Sequence, residues 1–149
     1  MRLSRLDLLS RLIGMSGTFS SERRWLTAAV LVHLAVSFVH GAAHAGADVP
    51  LSPGANLFVY IVILAGPIAG LALTRVAWRI GLWVIAITLA ASLVFGVVNH
   101  FLLASPDHVA HVAPQWRTLF ATTAVLLALT EAVGSVLAIR LARERTQVS

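Results

Sequence analysis

His33, His40 and His44 follow one another at intervals of seven and four residues. At about 100° per residue in a helix they fall within about 40° of one another, on one face. Asp48 continues the line four residues further on. A second group comes much later in the chain. His100 lies near the end of an apolar run, and the segment SPDHVAHVAPQW holds Asp107, His108 and His111. The last two are spaced to share a face if one helical turn forms there. Neutral imidazole is the common ligand of Zn, Cu, Fe and Ni, and carboxylates supply charge and orientation around such ions. His40, His44, His100, His108, His111, Asp48 and Asp107 are therefore the expected metal ligands. The chain has no Cys, and its two methionines, Met1 and Met15, are remote from these histidines. Sulfur-ligated Cu(I) is disfavoured, which leaves Zn, Cu(II) and non-haem Fe. A haem b held between His100 and either His40 or His44 is the second form of the same reading. His33 has no histidine partner at its own depth, so a second haem is not expected.

Converging these residues requires elements that cross a membrane. Of 149 residues 58% are hydrophobic and only 11% charged, with a mean hydropathy of +0.88. Soluble domains carry about 25% charge, so the composition excludes that class. A span needs about 20 apolar residues in a helix. Four segments qualify: Trp25 to Gly46, Asn56 to Val76, Ile80 to Ala104, and Thr118 to Leu141. The expected fold is all-α, a bundle of four transmembrane helices forming one domain over residues 25–141. The connection Ala77 to Arg79 is so short that the second and third spans must form an antiparallel hairpin.

The basic residues set the expected orientation. All eleven are arginines. Arg2, Arg5, Arg11, Arg23 and Arg24 precede the first span, Arg75 and Arg79 bracket the short connection, and Arg140, Arg143 and Arg145 close the fourth. Basic residues beside short loops stay in the cytoplasm, so both termini are expected there, with Arg117 alone on the other side. Trp25, Trp78, Trp83 and Trp116 sit near span ends and mark the headgroup layer. Counted from Trp25 and Trp83 at the helical rise, His40, His44 and His100 lie about 22, 28 and 25 Å above the inner interface. They converge at one depth, near the outer end.

Glu131 is the only acid inside a span. It lies about 22 Å below the outer interface, close to the depth of His33, so the two are expected to form a buried accessory pair. Thr130 and Ser135 are its polar neighbours, and Ser37, Thr122 and Thr123 are expected to bond their own helix backbone. Gly66 and Gly70 have the small-residue spacing that lets helices approach closely, either within the bundle or between copies, and Pro67 should kink their helix.

Residues 1–24 form a basic stretch suited to a short interfacial helix, and 142–149 a polar tail. Arg23-Arg24, the apolar run and Ala43-His44-Ala45 imitate a cleavable secretory signal, although the long leader and the histidines within the run argue for retention. No phosphate-binding loop, dinucleotide fingerprint, nucleophile elbow or H-E-x-x-H helix is present. The basic excess is thin and purely arginine, so nucleic acid is not an expected partner. The expected partners are the lipid bilayer and a homo-oligomer or larger membrane complex. An Arg-only, Ala-rich chain suggests a bacterial inner membrane. The functional classes left are a redox or metal-handling subunit and a structural or assembly subunit whose histidines only hydrogen-bond between helices.

Overall fold

The computed structural model describes residues 5–144, with side-chain surroundings from residue 21 onward. The expected polar tail from residue 145 on and the amphipathic pattern of residues 1–20 lie outside what is described at side-chain level. Among the described residues there are four long helices and no strand. They are α1 (Arg5–Gly46), α2 (Pro53–Leu73), α3 (Trp78–Leu102) and α4 (Pro114–Glu144). Each contains a stretch long and apolar enough to cross a membrane, in α1 the part Ser21–Gly46.

Local chemistry fixes the ends, and it moves them by a few residues from those the hydropathy pattern predicts. Helix α2 starts at Pro53 rather than Asn56. The Ser52 hydroxyl accepts the Ala55 N–H at 3.2 Å, and Pro53 occupies the first turn, where its missing donor costs nothing. Helix α4 likewise starts on a proline, Pro114. Two residues beyond the end of helix α1, Asp48 takes the left-handed conformation (φ 52°). Asp tolerates this region better than most residues. The Val49 N–H reaches back to the His44 carbonyl (3.1 Å) and the Asp48 N–H to the Ala45 carbonyl (3.4 Å), the double closure of a Schellman motif.

Helix α2 is not regular. Between Phe58 and Gly66 it widens into a π-helix, Val59–Ala65, in which the Gly66 N–H bonds the Ile61 carbonyl five residues back. Pro67 follows directly and has no N–H to offer the Ile63 carbonyl. Helix α3 ends in a second π segment, Val98–Leu102.

The helices pack in the order α2, α3, α4, α1, with each neighbouring pair in this order sharing an extensive interface and α1 and α2 meeting only sparsely. At the arginine end, Leu26, Val30, Leu82, Ile85, Leu89 and Ala138 form a fully buried core. At the histidine end, a smaller core holds Ala43, Val112 and Phe120. Leu26 and Val30 make the first span part of this core. Arg23 ties the arginine end together, donating from Nη2 to the Thr74 carbonyl (3.2 Å) at the end of α2 while its guanidinium lies 5.3 Å from the Trp78 ring centroid. A cation at a helix C-terminus also meets the negative pole of the helix.

Gly66 and Gly70 turn toward α3. A Cβ at Gly66 would lie 2.5 Å from Thr88, and one at Gly70 2.5 Å from the Ile85 side chain and 3.0 Å from its backbone nitrogen. Gly70→Val is therefore expected to cost about 1–3 kcal/mol through overpacking. Thermal unfolding in detergent should show a lowered midpoint, with Gly41→Ala as the control, because a Cβ at Gly41 meets nothing within 4 Å. Equal midpoints for the two variants would mean that α2 and α3 are not held by this contact.

Candidate metal centre

The sequence separates His40 and His44 from His100 by more than fifty residues, and the packing of α1 and α3 on α4 brings them together. Their ligating nitrogens all lie within 4.8 Å of one another, and His40 and His100 are each only 6% exposed. His40 stands edge-on to both neighbours, with ring centroids 4.8 Å away in each case. Phe120 of α4 closes the group from below, its ring centroid 4.7 Å from His40 and His44 and 5.3 Å from His100.

The hydrogen bonds assign which nitrogen of each ring carries the proton. His44 Nδ1 faces the Val49 carbonyl at 3.4 Å, and His100 Nδ1 faces the Asp107 carbonyl at 3.2 Å. A carbonyl only accepts, so both Nδ1 atoms donate. His40 Nδ1 lies 2.8 Å from the Thr123 hydroxyl. With its proton on the Leu119 carbonyl (2.8 Å), that hydroxyl accepts from His40. In that tautomer the Nε2 lone pairs of His40 and His100 are free, while His44 Nε2 faces the Asp107 carboxylate. His40 Nε2 and His100 Nε2 face each other at 3.1 Å. In that tautomer two lone pairs at this distance repel unless a cation lies between or beside them, whereas a proton on His40 Nε2 makes the contact a hydrogen bond. Nitrogens bound at about 2.0–2.1 Å in a tetrahedral site are about 3.3 Å apart. Anchoring of the remote ring N–H on a carbonyl, hydroxyl or carboxylate is also the usual arrangement around a ligating imidazole.

Asp107 supplies the negative charge. It is buried, with one carboxylate oxygen 3.2 Å from His44 Nε2 and 3.3 Å from His100 Nδ1. Burial pushes its carboxyl up, but the imidazoles of His100, His44 and His40 beside it outweigh burial and hold the group below its ordinary value. The carboxylate is therefore ionised at neutral pH.

The other sequence candidates sit elsewhere. His108 braces the α3–α4 connection with both ring nitrogens, Nε2 donating to the Phe101 carbonyl (3.3 Å) and Nδ1 accepting the Ala110 N–H (3.1 Å). His111 donates from Nδ1 to the Ser105 carbonyl (2.7 Å) and is exposed. Asp48 is exposed and terminates α1. In doing so it sets the position of the Val49 carbonyl that anchors His44. Between His40 and His100 there is no slot for a porphyrin. Nitrogens on opposite sides of one metal stand about 4 Å apart, whereas these are 3.1 Å apart.

His33 and Glu131 do meet, with His33 Nδ1 3.8 Å from a Glu131 carboxyl oxygen and both groups buried. His33 Nε2 donates to the Ile63 carbonyl at 3.1 Å, the carbonyl that Pro67 leaves without its helical donor. Thr123, Phe120 and the π segment that carries His100 were not anticipated as parts of the site. Thr123 and Phe120 share a depth with His40 when counted from Trp116, which is the signal that identifies them. No family model, curated protein or solved structure matches this chain.

Proposed function

We propose that this protein is a multi-pass membrane protein that binds a divalent transition metal, Zn, Cu or non-haem Fe, through His40, His44 and His100, with Asp107 as the neighbouring counter-charge. One observation carries the reading: three imidazoles, each with Nδ1 on a carbonyl or hydroxyl oxygen, bring their ligating nitrogens within 4.8 Å of one another beside the Asp107 carboxylate. Three protein ligands and a remaining open position are the pattern of reactive rather than structural zinc sites. The site therefore suits a metal that meets a substrate. The clustering of Arg23, Arg24, Arg75, Arg79, Arg140 and Arg143 near the opposite end supports a cytoplasmic location for that end and for both termini. Large apolar side chains exposed on every helix, among them Leu31, Ile61, Ile87 and Val133, support contact with lipid.

The test is elemental mass spectrometry on the intact protein purified in mild detergent. About one Fe, Cu or Zn per chain is expected. Protein that stays metal-free after incubation with each ion would leave the histidines as structural groups. Asp107→Asn should keep the fold and weaken metal affinity about 10–100-fold, measured by competition with a chromogenic chelator. Unchanged affinity would remove Asp107 from the centre.

A further inference from the structure

Between the two packed ends of the bundle lies a cavity of about 520 Å³. His40, His44, His100 and Asp107 line one end of it, and Glu131 lines the other. The separation follows from α1: His40 and His33 are seven residues apart, about 10 Å, and His33 touches Glu131. The wall between these ends is largely apolar, with Asn56 and Tyr60 as its polar residues besides two serines. Phe95, Leu127, Val59 and Ile63 contribute hydrocarbon. The two serines on the wall have turned their hydroxyls to their own helices, Ser37 to the His33 carbonyl and Ser92 to the Thr88 carbonyl.

Both departures from α-helical geometry border this space. The π segment of α2 forms one side of the cavity, and the π segment of α3 carries His100. Inserted π turns of this kind frequently mark functional sites. The cavity borders the seam between α1 and α2, where packing is sparse and where Phe38, Gly41, Ala42 and Tyr60 are exposed. In a membrane that seam faces acyl chains rather than water. An empty apolar space of this size would forfeit dispersion contacts along its wall, and its volume is that of a small-molecule site.

We infer that the cavity binds a membrane-soluble amphiphile, entering sideways between α1 and α2, with its hydrocarbon body along the π-helical wall of α2 and an oxygen-donor head group at the three-histidine centre. The placement of the head rests on the metal reading above, and the placement of the body does not. A divalent ion held by three neutral imidazoles beside a single carboxylate keeps a net positive charge, so an anionic head such as a carboxylate fits best.

The test uses the full chain in nanodiscs and a photoreactive dodecanoic acid with a diazirine in its chain, metal content being measured on the same samples. Labelling is expected at Val59, Ile63 and Phe95, competed by dodecanoate and not by acetate. Gly41→Trp, which projects into open space, and Ala128→Phe from the opposite wall should each cut this labelling about tenfold while leaving metal content unchanged. Labels confined to lipid-facing Leu57, Ile61 and Ile87 in a metal-loaded sample would overturn the inference and leave the metal reading intact. Cavity labelling in a protein that never holds metal would uphold the apolar site and sink the metal reading. Cavity affinity unchanged when His40→Ala removes a bound ion would overturn the placement of the head.

Discussion

His40→Ala and His100→Ala are each expected to reduce bound metal to background, a loss of affinity greater than about 100-fold, since even an outer hydrogen-bond partner of a ligand is worth 10–100-fold. His40 stands at the centre of the group, in edge contact with both other imidazoles and with Phe120. Its removal leaves His44 and His100 with ring centroids 5.8 Å apart and no third nitrogen. The prediction separates two readings of the same contacts. If the imidazoles are ligands, alanine removes metal first, and added metal raises the thermal midpoint of the native protein but not of the variant. If they only join helices, alanine lowers the midpoint and metal has no effect on either protein. Thr123→Val grades the argument further, because Thr123 touches only the remote nitrogen of His40. It should weaken metal binding about 10–100-fold without abolishing it. Equal metal content in native protein and His40→Ala would end the metal assignment.

The fold was legible because burial in a membrane writes itself into composition. Twenty-residue apolar runs, prolines between them and a three-residue connection define four helices and one hairpin, and Arg parity gives the expected orientation. The site was legible in part for a related reason. Helical rise is constant, so depth counted from Trp25 and Trp83 placed His40, His44 and His100 together, and the structure groups these three. Depth counting fails where the chain leaves the helix. His108 and His111 come from an irregular connection, whose own hydrogen bonds decide which side chain turns inward; there it is Asp107 that is buried, while His108 serves the loop. Asp48 continues the histidine line only while α1 remains helical, and α1 ends at Gly46, two residues before it. The π segments and the cavity were not legible, because a one-residue change in hydrogen-bond spacing leaves no mark in hydropathy. Pro67 was the one visible sign, read as a kink rather than as the source of a free carbonyl.

That carbonyl explains why a histidine occupies position 33. Pro67 lacks the N–H that would bond Ile63, and a buried carbonyl without a donor costs about 1–3 kcal/mol. His33 Nε2 supplies the donor from α1 at 3.1 Å, and its other nitrogen then faces Glu131. One ring thus satisfies a defect in α2 and gives the only acid within the four apolar spans a polar neighbour. It also links α1 to α2 below the open seam. His33→Leu is expected to lower stability by about 1–3 kcal/mol, since it strips the carbonyl and leaves Glu131 among hydrocarbon. Pro67→Ala restores an N–H to α2 four residues after Ile63. In that background His33→Leu should cost less, with a coupling of about 0.5–3 kcal/mol between the two positions, measured as a double-mutant cycle of unfolding midpoints. Glu131→Gln in the same cycle isolates the acid: it keeps the shape and leaves the Ile63 bond untouched. If the cost of His33→Leu is the same with Pro67 and with Ala at position 67, the missing helical donor is not what His33 answers. Its place would then follow from Glu131 alone.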